Sequence, residues 1–466
     1  MKFQQHILIL LISLLSYTTY GQHEHYLYYQ LHGFTGKRGI LFAIEGSKSI
    51  PLDTVGRQST GAIVFHNIEK YPVGMYRVYF NDSLYTEVII NNENIVLESS
   101  ITNIIKNMQV QRSTENALLF DYWKLAIATK DSISRLSYEI DKIEKKTYNS
   151  NHPKILALKK RIENINNNLK NYVNTIEKEY PKLFAPRLLH AYMYPDYKAY
   201  QKAHPQHPYP NEEAFFKDHY FDNIDFSDSR FLHTKVLFVT ISDYIKHFGN
   251  PASTKRYNAI IDKIMALASA NDKVYQYCRN LFMTTFDNSI WENVVVHLID
   301  RYYINYAGDL PQIKAYYAQE SALIKSLQPG KEMPDIVLSD TSGNVQNIKE
   351  ITAKAKIIIF YSSDCSHCTE AMPTLIDIYN MYKEQGLEAF AIALDDDAKK
   401  WKDEIKKFNL NWINLSDLKG LSSPLVQTFN IKSTPSIFIL NKDNIIMAKP
   451  DDMNEIQATL VQLLNQ

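Results

Sequence analysis

Phe360-Tyr361-Ser362-Ser363-Asp364-Cys365-Ser366-His367-Cys368-Thr369-Glu370-Ala371-Met372-Pro373 is the stretch whose reading decides the fold of this chain. The apolar run Ile357 to Tyr361 before it reads as a buried strand. After it, Met372, Leu375, Ile376, Tyr379 and Tyr382 recur at helical spacing. The Cys-x-x-Cys pair therefore falls where a strand end turns into a helix. At a helix N-terminus, free backbone N–H groups and the positive end of the dipole favour a thiolate at Cys365. Cys368, one turn later, shares that face and lies within reach for a disulfide. That arrangement is a redox site.

Three other readings of the pair are weaker. Structural zinc takes a full tetrahedral ligand set, and the chain has only 3 cysteines with no paired-histidine motif nearby, so no metal is expected. A purely structural disulfide across so tight a loop contributes little, because loop-closure entropy grows with loop length. Coincidence is disfavoured because motif and strand–helix context agree.

On these residues the C-terminal part, about residues 330–466, resembles the thioredoxin-like thiol-disulfide oxidoreductases of the bacterial cell envelope, the TlpA/ResA-like group. The matching features are Pro334-Asp335-Ile336-Val337-Leu338 with Gly343, Cys365-Ser366-His367-Cys368, and Pro373 beyond the second cysteine. Thr434-Pro435, followed by Ile437-Phe438-Ile439-Leu440, matches the cis-proline of the family. The resemblance implies a strand–helix order β-β-α-β-α-β-β-α with helices on both faces of the sheet. It assigns Cys365 as the attacking thiolate, Cys368 as the resolving thiol, and the Thr434-Pro435 backbone as the surface that receives an extended substrate chain. His367, between the cysteines, is placed to carry positive charge near the thiolate, as in the strongly oxidising Dsb-type enzymes. Two departures stand out. Ile359 occupies the place of the buried aspartate of thioredoxin, and Ala371 the place where many ResA-like proteins carry glutamate. Glu370 is one position off, which turns its side chain by about 100°, so the proton acceptor for Cys368 is left open between water and His367.

The 45% hydrophobic and 22% charged composition is that of an ordinary globular chain, and Lys+Arg (51) equals Asp+Glu (51). No global charge argues for nucleic acid or an anionic membrane as partner. Met1-Lys2 and the apolar run Ile7 to Leu15, with Thr19-Tyr20-Gly21 at a cleavage position, read as a secretory signal peptide over residues 1–21. No later stretch is long enough to span a bilayer. The expected location is the periplasm, with no stable membrane insertion after signal cleavage. With so few cysteines the chain is no disulfide scaffold, so its redox-active disulfide is expected to process the thiols of other proteins.

The sequence predicts a multidomain chain: an all-β sandwich-like domain (22–105), a mainly helical domain (110–327) and an α/β thioredoxin fold (328–466). In the first, Tyr26–Leu31, Gly39–Ile44, Ala62–Phe65, Met75–Phe80, Tyr85–Ile90 and Ile95–Leu97 are apolar runs between turn residues, giving roughly five to seven short antiparallel strands. The segment resembles the β-rich N-terminal domain of Bacteroidetes-type multidomain thioredoxin-like proteins and reads as a docking module. From about Glu115 the period becomes helical. Asn149 to Pro153 breaks two runs into a helical hairpin. Further helices are expected over Phe184–Tyr194, Phe231–Phe248, Ser253–Ala270, Asp272–Asn288, Trp291–Ile304 and Gln312–Ser326, with Ser227, Ser253 and Asp272 as caps. His204-Pro205-Gln206-His207-Pro208 reads as a solvated loop, and Cys278 as a buried structural thiol. Asp395-Asp396-Asp397 is expected to cap the helix Ala398–Phe408, with Trp401 on its buried side.

The predicted function is extracytoplasmic reduction or isomerisation of protein disulfides, without a cofactor, on protein thiol and disulfide substrates, recharged by a membrane electron donor. Two alternatives stand beside it: an oxidase that introduces disulfides, and a binding protein with an auxiliary redox domain.

Overall fold

The computed structural model describes residues 25–287 and 291–465. Residues 1–21, which read as a signal peptide, lie outside the described residues. The chain divides into two compact units, one running through Phe248 with Leu267–Tyr275 added, the other comprising Gly249–Ala266 and Gln276–Gln466.

The first unit opens with strands β1 (Tyr26–His32), β2 (Arg38–Glu45), β3 (Lys48–Gly56), β4 (Ala62–His66), β5 (Gly74–Asn81), β6 (Leu84–Ile90), β7 (Ile95–Ser100) and β8 (Gln109–Arg112). They form two sheets, β4-β1-β7-β8 and β3-β2-β5-β6. Alternate residues face inward, as a half-buried strand requires. Leu27, Tyr29 and Leu31 of one sheet meet Leu41, Tyr76, Val78 and Val88 of the other in a single core. This is the expected sandwich, with two corrections. β1 pairs with β7 in parallel rather than antiparallel. Strands β3 and β8 were not expected; β3 is largely exposed, Ile50 and Leu52 included, and contains Pro51, an edge-strand pattern.

The helical hairpin follows as Thr114–Thr147 and Pro153–Glu179. Buried polar residues at its start tie it to its neighbours. Asn116 pairs with both backbone groups of Ile89, accepting at 2.9 Å and donating at 2.8 Å. The fully buried Glu115 carboxylate accepts from Phe184 N (2.8 Å) and Ala185 N (2.6 Å), satisfying free N–H groups at the start of the helix Phe184–Ala191. Short helices over Tyr197–Ala203 and Glu212–His219 were not expected, and a 3-10 turn (Ser229–His233) precedes the helix Val236–Phe248. His204, in the loop between the short helices, stacks on Tyr200. Helices Thr254–Ala268, Asp272–Phe286, Glu292–Leu298 and Pro311–Ser326 follow. Two caps are corrected. Asn271 rather than Asp272 accepts the first N–H groups of its helix, and Asp228 rather than Ser227 caps the 3-10 turn. Cys278 is fully buried, and burial pushes its thiol up to about 12.

In the second unit a seven-stranded sheet has the order β10-β9-β13-β12-β11-β14-β15. Its strands are β9 (Val337–Asp340), β10 (Val345–Asn347), β11 (Ala355–Tyr361), β12 (Leu387–Ala393), β13 (Ile413–Ser416), β14 (Ser436–Asn441) and β15 (Ile446–Ala448). β11, β12 and β13 are parallel, and β14 runs antiparallel to β11. Helices Ser366–Tyr382 and Met453–Leu464 cover one face over a core that includes Ile357, Ile359, Tyr361 and Leu460. The other face packs Ile358, Phe360, Phe390 and Phe438 against Leu327, Met333 and Phe429. This is a thioredoxin fold, with two strands and a short helix, Pro424–Thr428, beyond the expected order: three strands rather than two precede the helix Ser366–Tyr382, and three rather than two stand between the helices Ala398–Phe408 and Met453–Leu464. The stretch Gln328-Pro329-Gly330-Lys331, a linker by composition, is bound in place. Gly330 N donates to Ile446 O at 2.7 Å and Ile446 N to Lys331 O at 2.8 Å.

Candidate active site

β11 is buried along its whole length and delivers the chain to the C-terminal edge of the sheet at Tyr361. There the backbone turns, Cys365 N donating to Ser362 O at 3.1 Å. Cys365 is the N-cap residue of the helix Ser366–Tyr382, with extended φ and ψ of −90° and 114°. Its carbonyl accepts from Thr369 N at 3.1 Å, the first full helical bond. Its sulfur accepts from Cys368 N at 3.4 Å, so the thiol occupies the place of a capping oxygen.

On the other side stands the loop leading into β14, which pairs with β11 so that Phe360 lies opposite Ser436. Thr434-Pro435 is a cis peptide, and Thr434 O accepts from Cys365 Sγ at 3.1 Å. The sequence-predicted residues Cys365, Cys368, Thr434 and Pro435 are thus brought to one place. His367 stands in the first helical turn, exposed to solvent.

The two sulfurs differ. Cys365 is half-buried and Cys368 is only 2% exposed. Partial burial works against charge on Cys365, but hydrogen bonds outweigh it: those from the Thr434 and Cys368 side chains, and from the backbone N–H groups of Cys368 and His367. The thiol ends below its ordinary value. Burial, reinforced by the neighbouring Cys365, pushes Cys368 up to about 12. What His367 contributes to the sulfur is its backbone N–H. A pH series of alkylation follows from this asymmetry. Cys365 of the reduced protein should lose its proton, and so react with iodoacetamide, below about pH 8.5, the ordinary thiol midpoint. Cys368 should stay unmodified through that range; peptide mass spectrometry reads both, and equal labelling of the two would contradict it.

One residue at the site was missed. Of the three aspartates after β12, only Asp397 caps the following helix, accepting from Lys399 N and Lys400 N. Asp395 turns inward, 5% exposed, and its Oδ1 accepts from Ser362 Oγ and Ser363 N, each at 3.0 Å. A signal existed: Asp395 directly follows a wholly apolar run at the C-terminal end of a central parallel strand, where such sheets place their sites. Trp401 is 3% exposed, as expected from its helix face. Beside Pro435 lies a cavity of about 230 Å³, lined among others by Phe438, Met453 and Ile456, with Glu292, Lys449 and Asp451 also contributing.

Comparison with known proteins agrees with this geometry. Residues 329–449 match the AhpC/TSA family. "Thiol-disulfide oxidoreductase ResA" of Bacillus cereus is 28% identical over 125 residues, which is 27% of this chain and 70% of that protein. The redox domain, residues 329–449, is of the TlpA/ResA type of thiol-disulfide oxidoreductase. The Bacillus subtilis ResA is 20% identical over 123 residues, 26% of this chain and 67% of its own. Among solved structures, a thioredoxin-like protein from Bacteroides caccae is 20% identical, covers 53% of this chain and 91% of its own, and has a TM-score of 0.44. A thiol-disulfide oxidoreductase from Bacteroides fragilis is 25% identical, covering 28% and 99%, with a TM-score of 0.28. Residues 207–310 match a domain of unknown function (DUF5106). Among the described residues no helix is long and apolar enough to cross a membrane.

Proposed function

We propose that this protein reduces or isomerises disulfides of other proteins outside the cytoplasm. Cys365 attacks a substrate disulfide, and Cys368 resolves the mixed disulfide, leaving Cys365–Cys368 oxidised and the substrate reduced. The observation that carries the reading is the pairing of a half-buried, acidified Cys365 sulfur with the Thr434 carbonyl on one side and a shielded Cys368 on the other. In this reading Thr434 and Pro435 present backbone to an extended substrate segment. The extracytoplasmic setting rests on the apolar segment Ile7 to Leu15, and a membrane electron donor regenerates the dithiol. In this reading the β-rich region within residues 22–105 serves docking, and residues 328–466 carry the chemistry.

A reducing direction is supported by the groups that lower the Cys365 thiol, which are the Thr434 and Cys368 side chains and backbone N–H groups rather than the imidazole of a strongly oxidising loop. The test is the reduction potential of the Cys365–Cys368 couple against glutathione. A value near about −270 mV is expected of a reductase, and one near about −120 mV would overturn the direction in favour of an oxidase.

A further inference from the structure

The two borders of the sheet β3-β2-β5-β6 are finished differently. β3 contains Pro51, which has no N–H for a further strand. β6 has no proline. In an antiparallel pair, alternate residues turn their backbone groups away from the partner strand. Ile89 of β6 is one of these, and the Asn116 side chain bonds both its N–H and its C=O. Glu87 and Tyr85, opposite Arg77 and Tyr79 of β5, have the same phase. Among the described residues no protein group bonds their outward N–H and C=O. Both residues border a cavity of about 430 Å³. Its other wall is the helix Thr114–Thr147, where Trp123, Ala126, Ile127 and Lys130 share one face. That face begins at Leu119 and Phe120, which are fully buried, but Ile127 is left 39% exposed. Trp123 and Ile105 pack against the sandwich core, and Phe120 meets the Trp123 ring edge-on at 5.1 Å, which fixes that wall. Positive charge is in excess here. Glu87 pairs with both Arg77 (2.8 Å) and Lys235 (2.9 Å), and Lys130 has no ionic partner among the described residues.

We propose that the Tyr85–Glu87 border of β6 is a docking site for an extended segment of a partner protein, apolar and acidic by turns. The segment adds to β6 as a further strand, taking main-chain hydrogen bonds from the outward groups of Tyr85 and Glu87. An apolar side chain of the segment meets Trp123 and Ile127, and an acidic one answers the charge of Lys130 and Lys235. Main-chain bonds supply affinity; the cavity and its lysines supply the choice of sequence. Only two outward positions are open, because Asn116 occupies the next. The site therefore fits a short segment rather than the edge of another whole sheet. The proposal rests on the docking role given above to the β-rich region, and on no step at the cysteines.

Fluorescence anisotropy of a short fluorescein-labelled peptide, alternating valine and aspartate, tests this on the full reduced chain. Saturable binding is expected. N-methylation of one of the two alternate sets of peptide nitrogens should weaken it by about tenfold, and of the other set by much less. Lysine in place of the aspartates should also weaken it by about tenfold. Tyr85→Pro removes an outward N–H without touching a bond to β5, and should weaken binding by about tenfold. Lys130→Glu, on an exposed residue, should reverse the preference so that the lysine peptide binds the tighter. Should Tyr85→Pro fail to fold, Lys130→Glu alone decides. Both variants should reduce the symmetrical disulfide of nitrothiobenzoate at the unsubstituted rate. Unchanged affinities in the variants would overturn this site and leave the docking role standing, whereas no saturable binding to the unsubstituted chain would overturn both. Equal binding of the parent and both N-methylated peptides would overturn strand addition. A concentration-dependent dimer abolished by Tyr85→Pro would assign the border to a second copy of this chain and overturn the partner.

Discussion

Changing Cys368 to alanine should arrest the protein as a mixed disulfide, with substrate held on Cys365. Multiple turnover should fall by on the order of a thousandfold, because the group that completes the reaction is gone. The attacking step is retained, since Cys365 keeps its carbonyl contact with Thr434 and the N–H of residue 368. Changing Cys365 to alanine should abolish turnover to the same extent and trap almost nothing, because Cys368 is 2% exposed and its thiol stays protonated. Non-reducing gels of cell-envelope extracts distinguish the two variants, and mass spectrometry identifies the trapped proteins. Equal trapping by both would contradict the order of attack.

The features of the redox site that sequence made legible are those written locally. Cys365 to Cys368, the apolar run through Tyr361 and the Thr434-Pro435 step each carry their geometry in a few adjacent residues. The position of Asp395 is not local. Asp395, Asp396 and Asp397 are chemically identical, and only the pairing of β11 with β12 decides which one meets Ser362 and which caps a helix. The same limit explains β3 and β8, edge strands that are largely exposed and hold no buried residue, although each pairs in a ladder. The parallel pairing of β1 with β7 is likewise invisible to alternation, which reports the buried face of a strand and says nothing of its direction. The middle helices were found where apolar residues step by three and four. Tyr197–Ala203, with no buried residue, and Glu212–His219, with Phe215 alone, gave no such stripe.

Replacing Lys449 with alanine should destabilise the second unit by about 3–5 kcal/mol, the expected cost of leaving one partner of a buried ion pair alone. Lys449 Nζ reaches both carboxylate oxygens of Glu292 at 2.6 Å, with side-chain exposures of 17% and 9%, and it also stands over the Phe438 ring at 5.1 Å. The loss should appear as a lower urea midpoint for exposure of Cys368 to alkylation, a probe inside the core that Phe438 backs. The double change Glu292→Leu with Lys449→Met should recover most of the stability, since it removes both desolvated charges and keeps apolar volume. If the single change left the midpoint unmoved, the pair would be worth no more than a surface contact.

The stretch Gly330-Lys331, bound against β15, has a consequence for self-association. An oxidoreductase that meets unfolded chains risks templating them, because an open sheet edge offers unpaired backbone groups to any extended segment. Here the β15 edge is already occupied by its own chain, and a further bridge joins Glu332 to Ile445. The opposite edge, β10, spans only Val345–Asn347. Neither border offers a long ladder for a client to extend into a growing aggregate. An extended segment that meets either border therefore finds little unpaired ladder to join.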